Sequence, residues 1–275
     1  MKIKKILSGF KHRLFPDKEK IVKRKLLGET LTVIDGTIRK KVDYDDAWFY
    51  ALAMHCKVFF DIGANIGYTS LIASLTNKVS RIILVDPNPS ALNFAFRNLL
   101  YNNRVSNCNF FPAFVSHSVG EEVKFFTMGV GAAGSLYPSH AQTASMVNNY
   151  FFVKTTTIDY LTEYYNTDPD LVKVDVEGAE YDALNGATSL AKKRQTKFLV
   201  EMHRLDELSM HANANNVLTW CREVGYEAWY LAKHTKLKNG AEIAHRGKCH
   251  LLLQPSDWEF PEFLMKIRQG AALPI

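Results

Sequence analysis

The reading of the chain turns on Val58-Phe-Phe-Asp-Ile-Gly-Ala-Asn-Ile-Gly-Tyr68, which runs on into Thr69-Ser-Leu-Ile-Ala-Ser-Leu75. Val58, Phe59 and Phe60 form a short apolar run of the kind that makes a buried strand, and the residues from Tyr68 to Leu75 carry helical spacing. Between them lies a glycine-bearing turn. Strand, turn and helix in this order is how an open α/β sheet builds a small-molecule site at the carboxyl ends of its strands. The turn reads Asp61-x-Gly63-x-Asn65-x-Gly67, which lacks the Gly-x-Gly-x-x-Gly spacing of dinucleotide folds.

The same alternation continues. Arg81–Val85 reads as a second buried strand ending at Asp86-Pro-Asn-Pro89, with Ser90 placed to cap a helix over 91–100. Cys108–Val115 reads as a third strand, and Val123–Phe126 and Phe152–Ile158 as further β segments on either side of a glycine-rich loop over 128–136. Leu171–Val174 enters Asp175-Val-Glu-Gly-Ala-Glu180 and a helix reaching about residue 190. Lys197–Val200 runs into Glu201-Met-His203, a helix spans about 213–223, and Ala228–Ala232 and His250–Leu253 close the chain as an antiparallel pair. Strands alternating with helices imply a mostly parallel sheet covered on both faces. Asp35-Gly36 predicts a hairpin between Leu31–Ile34 and Thr37–Arg39, followed by a helix over 43–54.

At 275 residues, with 47% hydrophobic and 23% charged residues, the chain suits one large α/β domain with appendages. The organisation expected is a basic arm at 1–25, a hairpin and helix cap at 26–55, the main domain at 56–255 and a tail at 256–275. Ten of the 34 lysines and arginines and two of the 28 acids fall in residues 1–25. The arm therefore carries +8 of the net +6 and the remaining 250 residues −2. A nearly neutral body argues against nucleic acid as a partner. Ile3, Ile6, Leu7, Phe10, Leu14 and Phe15 recur at helical spacing among lysines, so residues 1–16 are suited to lie on an anionic membrane surface, with a self-docked or solvated helix as the alternative. No apolar run approaches the roughly 20 residues of a membrane-spanning helix. Four scattered cysteines without a Cys-x-x-Cys pattern read as reduced and buried, which with the absence of a signal peptide points to the cytoplasm.

Asp86 follows Gly67 by nineteen residues and ends the second strand, where an acid can accept both hydroxyls of a ribose. Dinucleotides and adenosylmethionine share that device. A pyrophosphate needs close backbone approach at a helix start, and Asn65 supplies a side chain where such a site prefers glycine, so the turn favours a ligand without phosphates: S-adenosylmethionine. The second dense cluster is Asp175, Glu177 and Glu180 at the end of one strand, with Glu201 and His203 on one face of the next. Acids favour a helix start, which accounts for Glu180 better than for Asp175. A histidine beside carboxylates can act as a base for a hydroxyl, and Asp175, Glu201 and His203 are equally the candidate ligands for a divalent metal.

Phe60-Asp-Ile-Gly-Ala-Asn-Ile-Gly-Tyr-Thr-Ser70, Val85-Asp-Pro-Asn-Pro89, Thr155-Thr-Thr-Ile-Asp-Tyr-Leu161 and Leu171-Val-Lys-Val-Asp-Val-Glu-Gly-Ala-Glu180 with Leu184-Asn-Gly186 together resemble the FkbM-type S-adenosylmethionine-dependent methyltransferases. The resemblance spans roughly residues 56–254. It implies a Rossmann-like class I methyltransferase with a seven-stranded, mostly parallel sheet, an antiparallel closing strand and helices on both faces. It also implies O-methylation of a hydroxyl on a small molecule, a sugar or a glycan. On this reading Asp61, Gly63, Ala64, Asn65 and Gly67 shape the cofactor turn, with Asp61 toward the methionine end. Asp86 holds the ribose, Ala113 and Phe114 wall the adenine, and Asp175, Glu177 and His203 serve the acceptor, with His203 as base. The rival readings are a nicotinamide-dependent oxidoreductase on a similar sheet and a non-catalytic methyltransferase-like binding protein.

Overall fold

The computed structural model describes residues 19–39, 45–127, 135 and 148–274. The expected amphipathic helix of residues 1–16 and, Ser135 apart, the loop over 128–136 lie outside the described residues.

The chain begins with a hairpin, β1 (Ile21–Leu26) and β2 (Glu29–Ile34), followed by helix α1 (Asp46–Ala53). The core then runs β3 (Val58–Ile62), α2 (Tyr68–Leu75), β4 (Arg81–Val85), α3 (Pro89–Tyr101) and β5 (Cys108–Phe111). A small three-stranded sheet follows, with β6 (Phe114–Val115) and β7 (Glu122–Phe126) flanking β8 (Tyr150–Thr156). The second half comprises α4 (Ile158–Tyr164), β9 (Leu171–Val174), α5 (Glu180–Asn185), α6 (Thr188–Lys192), β10 (Lys197–His203), α7 (Met210–Val224), β11 (Tyr226–Tyr230), β12 (Thr235–Lys236) and β13 (Lys248–Pro255).

The main sheet has the order β12-β11-β13-β10-β9-β3-β4-β5. Strands β5, β4, β3, β9 and β10 are parallel, and β13 is inserted antiparallel between β10 and β11. The mostly parallel sheet, its covering helices and the antiparallel strand near one edge are those expected. An eighth, two-residue edge strand, β12, extends the seven. The order reverses at β3, with β4 on one side and β9 on the other, and a parallel sheet opens a crevice at such a switch point.

Alternation along each central strand feeds two cores. Phe60, Ile62, Ile83, Val85, Val172 and Val174 pack with α5, α6 and α7, whereas Phe59, Ile82, Leu84 and Leu171 pack with α1, α2 and α3. Strands buried on both faces read as near-continuous apolar runs, which is why these were visible in the sequence.

Four local expectations are corrected. The hairpin closes at Leu27-Gly28, both left-handed (φ +50° and +78°), whereas Asp35-Gly36 makes the turn after β2. Residues 21–25, assigned to the basic arm, thus belong to β1. Asn88, not Ser90, caps α3, accepting from the N–H groups of Ser90 and Ala91, with Pro89 in the first turn. The third strand breaks after Phe111, and Phe114–Val115 leave the main sheet to pair with β8. The helix after Gly178 divides at Gly186, where a Cβ would lie 2.2 Å from the carbonyl of Ser116. Two elements then position the crevice walls. The carboxamide of Asn98 on α3 accepts from the N–H of Ile34, tying the hairpin to the core. The tail returns over α1, where the Trp48 indole donates to the carbonyl of Ile267 and His55 stacks on Phe263.

Candidate active site

The crevice outside β3, β4 and β9 encloses a cavity of about 360 Å³. Its floor is the turn after β3. The N–H groups of Gly63 and Ala64 donate to the carbonyl of Val85, and Gly63, Asn65 and Gly67 all take positive φ (+81°, +47° and +75°). The two glycines have different reasons. A Cβ on Gly63 would stand 1.8 Å from the carbonyl oxygen of Asp175, and one on Gly67 would stand 2.5 Å from the Cβ of Ala95 on α3. Gly63 therefore permits two strand ends to touch and Gly67 permits two helices to pack. Gly63, Ala64 and Asn65 line the cavity; Gly67 lies beneath it.

Asp86 lines the cavity beside the turn. One carboxylate oxygen accepts from the N–H of Asn65 at 2.7 Å, the other from the N–H of Asn88 at 2.8 Å. Burial pushes its carboxyl up to about 7, against the downward pull of those two N–H groups. Each oxygen keeps a second lone pair for a ligand hydroxyl. Ala113, Phe114 and Val115 form the apolar wall beside it. Asp61 stands elsewhere. It is 1% exposed, accepts from the Ser70 hydroxyl at 2.6 Å on the α2 side of the sheet, and is absent from the lining. Burial pushes it up to about 6 although Lys173 and Ser70 oppose the shift.

The far end of the cavity carries Lys173, Asp175, Glu177, Glu201 and Lys248, with Thr37, Arg39 and Tyr68 at its edge. Lys173 is buried and donates to Asp175 at 2.8 Å. Burial alone would strip its proton, but Asp175, Asp45, Glu201 and Asp61 surround it and hold it charged. Arg39 lies over the Tyr68 ring, 4.9 Å from its centroid.

His203 stands behind this wall rather than in it. Its Nδ1 lies 2.8 Å from Oε1 of Glu180, which is fully buried and also accepts from the amide of Asn213 and the N–H of Gly178. Its Nε2 lies 3.5 Å from Glu177, 3.5 Å from Glu201 and 4.0 Å from Asp175. Burial disfavours the cation, yet Glu180, Glu201 and Asp175 outweigh it and raise the imidazole well above its ordinary value. Glu180 is thus an ion-pair partner of His203, which corrects its reading as a helix-start acid. For Glu201, burial acts upward, but His203, His250 and Lys173 reverse it and hold the carboxyl below the usual range. Burial raises Glu177 to about 7 even with His203 beside it. Glu177 also takes φ +51°, followed by Gly178 at +106°, so the backbone bends at this point to present the carboxylate.

The metal candidates Asp175, Glu201 and His203 divide between two donor sets. Asp175, Glu177 and His203 form one, and Glu201 joins Asp45 and His250 in the other. Lys173, Arg39, Lys248, Asp45 and His250 were not singled out from the sequence. The lysine interrupts an apolar strand, which was the one available signal.

The donor geometry fits an adenosine with a sulfonium at its far end: hydroxyl acceptors at Asp86, an apolar wall, then the carboxylates of Asp175, Glu177 and Glu201. The model of the FkbM methyltransferase domain matches residues 61–228, more than half of the chain. The chain belongs to the FkbM family of S-adenosylmethionine-dependent methyltransferases. Solved structures similar to this FkbM chain include an FkbM methyltransferase from Methylobacillus flagellatus KT, at 16% identity with a TM-score of 0.45, over 80% of this chain and 45% of that one. A putative transferase from Pyrococcus horikoshii is 12% identical with a TM-score of 0.47, over 86% and 71%. The TYW2 protein of M. jannaschii, solved with AdoMet, is 11% identical with a TM-score of 0.42, over 87% and 86%. The chain thus spans a little under half the length of the Methylobacillus protein. No curated protein matches it. Among the described residues no helix is long and apolar enough to cross a membrane.

Proposed function

We propose that this FkbM-family chain is an O-methyltransferase acting on a hydroxyl of a sugar, a glycan or a related polyhydroxylated molecule. The observation that carries the reading is the placement of Glu177. Its carboxylate lines the cavity at the end opposite Asp86, and its affinity for a proton lies near neutrality. A base is most effective with a pKa close to the working pH.

S-adenosylmethionine supplies an already activated methyl group when bound. The chain's own work is binding, alignment and proton removal. Asp86 accepts the two ribose hydroxyls, Ala113 and Phe114 pack on the adenine, and the Gly63–Asn65 turn gives the methionine portion its floor. Asp61, hydrogen-bonded to Ser70, acts through the backbone of that turn. At the acceptor end Glu177 takes the hydroxyl proton. His203, expected as base, holds its proton between Glu180 and Glu201 and keeps Glu177 in place as a cationic neighbour. Arg39, Thr37 and Lys248 supply hydrogen-bond donors at the mouth suited to a polyhydroxylated acceptor.

Glu177→Gln should lower turnover by about 10²–10⁴-fold, the usual worth of a positioned base, while S-adenosylhomocysteine affinity by calorimetry stays within threefold. Full activity in this variant across a panel of glycoside acceptors removes Glu177 as base. A wild-type protein that binds S-adenosylhomocysteine but methylates no hydroxyl compound in a broad screen removes the O-methyl reading and favours the binding protein. An oxidoreductase predicts consumption of NADH with carbonyl substrates, and the family to which the chain belongs weighs against it.

A further inference from the structure

Beside the cavity, and outside the lining except for Glu201, is a second group of donors. Asp45 precedes α1, Glu201 lies on β10, and His250 lies on β13 directly opposite Glu201 in the antiparallel ladder. Their exposures are 3%, 4% and 2%. The ladder register places Glu201 and His250 on one face of the sheet, and α1 lays Asp45 over both.

Burial this complete ordinarily comes with full hydrogen bonding. Here it does not. Neither ring nitrogen of His250 has a hydrogen-bond partner, and Oδ1 of Asp45 has none. Nε2 of His250 stands 3.3 Å from Oε2 of Glu201 and 3.7 Å from Oδ2 of Asp45, close in distance but not aligned as hydrogen bonds. One ligand atom from each residue lies within 4.8 Å of the others.

Those separations suit a shared ion. Zinc bonds of about 2.0–2.2 Å to imidazole and carboxylate in a tetrahedron place neighbouring donors about 3.3–3.5 Å apart. The smaller octahedral edge of Mg²⁺, about 3 Å, and its retention of several waters fit a pocket of three buried donors less well. One imidazole with two carboxylates is a donor set for zinc or a zinc-like ion. Lys173 bears on the charge balance of the pocket. Its ammonium group is engaged by Asp175 at 2.8 Å, and Lys248 lies 2.5 Å from the other oxygen of Glu201, leaving Oε2 toward His250.

We propose that Asp45, Glu201 and His250 form a buried site for one zinc-type divalent cation that fastens the N-terminal cap to the sheet. The ion sits on a different residue set from the Asp175, Glu201 and His203 trio suggested by the sequence. By holding Asp45, which stands 3.9 Å from the Arg39 guanidinium, it steadies one side of the cavity mouth. The fourth position of the tetrahedron would be filled by water.

The test uses the full chain, stripped with chelator and dialysed, without methyl donor or acceptor, so its failure leaves the methyltransfer reading untouched. Stripped protein should take up one equivalent of Zn²⁺ by calorimetry and elemental analysis. It should melt several degrees higher when saturated. Co²⁺ should give the intense visible absorption of a tetrahedral complex. Asp45→Asn and His250→Asn should each weaken uptake at least a hundredfold, and His203→Asn should retain it. Asp45→Asn removes a ligand at the edge of the cap, and circular dichroism should show it folded as wild type. No uptake by wild type overturns the proposal and leaves Lys173 as the neutralising cation. So does uptake unchanged in Asp45→Asn, or uptake lost in His203→Asn alone, which moves the ion to Asp175, Glu177 and His203.

Discussion

Replacing Asp86 by asparagine separates ligand binding from folding. In the free protein the carboxylate accepts the N–H groups of Asn65 and Asn88 at 2.7 and 2.8 Å and is 7% exposed. If it also accepts two ribose hydroxyls, each bond to a charged group is worth about 1.5–3 kcal/mol. The amide should then bind S-adenosylhomocysteine on the order of 10²–10⁴-fold more weakly. Folding should respond differently. A carboxyl raised from 3.8 to about 7 by burial is destabilising once ionised. At about 1.4 kcal/mol per unit the charge costs about 4 kcal/mol above pH 7. The sign follows from the raised value: between 3.8 and about 7 the unfolded chain has lost this proton and the folded chain keeps it, so stability falls as pH climbs through that window. The amide escapes the cost, but one NH₂ must face a backbone N–H, worth about 1–3 kcal/mol in the opposite sense. Asp86→Asn should therefore melt no lower than wild type at pH 8 and lower than wild type at pH 5. Wild-type affinity should also fall about tenfold per pH unit below 7, with the variant flat. Calorimetry with S-adenosylhomocysteine and thermal melts at pH 5, 6, 7 and 8 read both. Variant affinity within threefold of wild type at pH 8 would refute the ribose assignment, and a wild-type affinity level from pH 8 to 5 would refute the raised carboxyl.

Two further substitutions probe the framework. Gly63→Ala puts a Cβ at 1.8 Å from the Asp175 carbonyl in a residue at φ +81°; it should cost more than about 4 kcal/mol and abolish S-adenosylhomocysteine binding, both read by melts and calorimetry. Glu180→Gln leaves the buried His203 cation without its closest partner and should cost about 3–5 kcal/mol by denaturant melts. The raised histidine stabilises the fold below its unfolded value near 6.5 and loses that contribution as pH passes through the folded value. Glu180→Gln should flatten this dependence, and an unchanged His203 titration by NMR would be inconsistent with the ion pair.

Much of the site was legible because it is local in sequence. The turn from Asp61 to Gly67 and the acid at Asp86 are short-range patterns at strand ends, and the strands beneath them, buried on both faces, show as unbroken apolar runs. What escaped was assembled from afar. Lys173 is held by Asp175 two positions on, but also by Asp61 on β3, Glu201 on β10 and Asp45 at the start of α1, which the chain brings in from elsewhere. Asp45 and His250 are 205 positions apart and meet each other and Glu201 only in the folded chain. The first hairpin was misplaced for a different reason. Its turn uses Leu27, not asparagine or aspartate, in the left-handed region, while β1 exposes four of its six residues and shows no apolar face to read. Gly67 was read as a ligand contact, yet its lack of a side chain serves the packing of α2 on α3. His203 was in place but its proton was misjudged, since Glu180 stands 23 positions earlier.

The contact between Gly63 and the Asp175 carbonyl carries a consequence for how such a protein can diverge. The proposed floor of the methyl donor and the strand end proposed to meet the acceptor are two sides of one peptide-thick partition, joined also by the bond from the Asp175 N–H to the Ile62 carbonyl. Neither side can be lengthened, or its backbone shifted, without displacing the other. Change in acceptor preference is thereby channelled to side chains that reach the mouth from elsewhere, Thr37 and Arg39 on the cap and Lys248 on β13, which can be exchanged while the partition stays where it is.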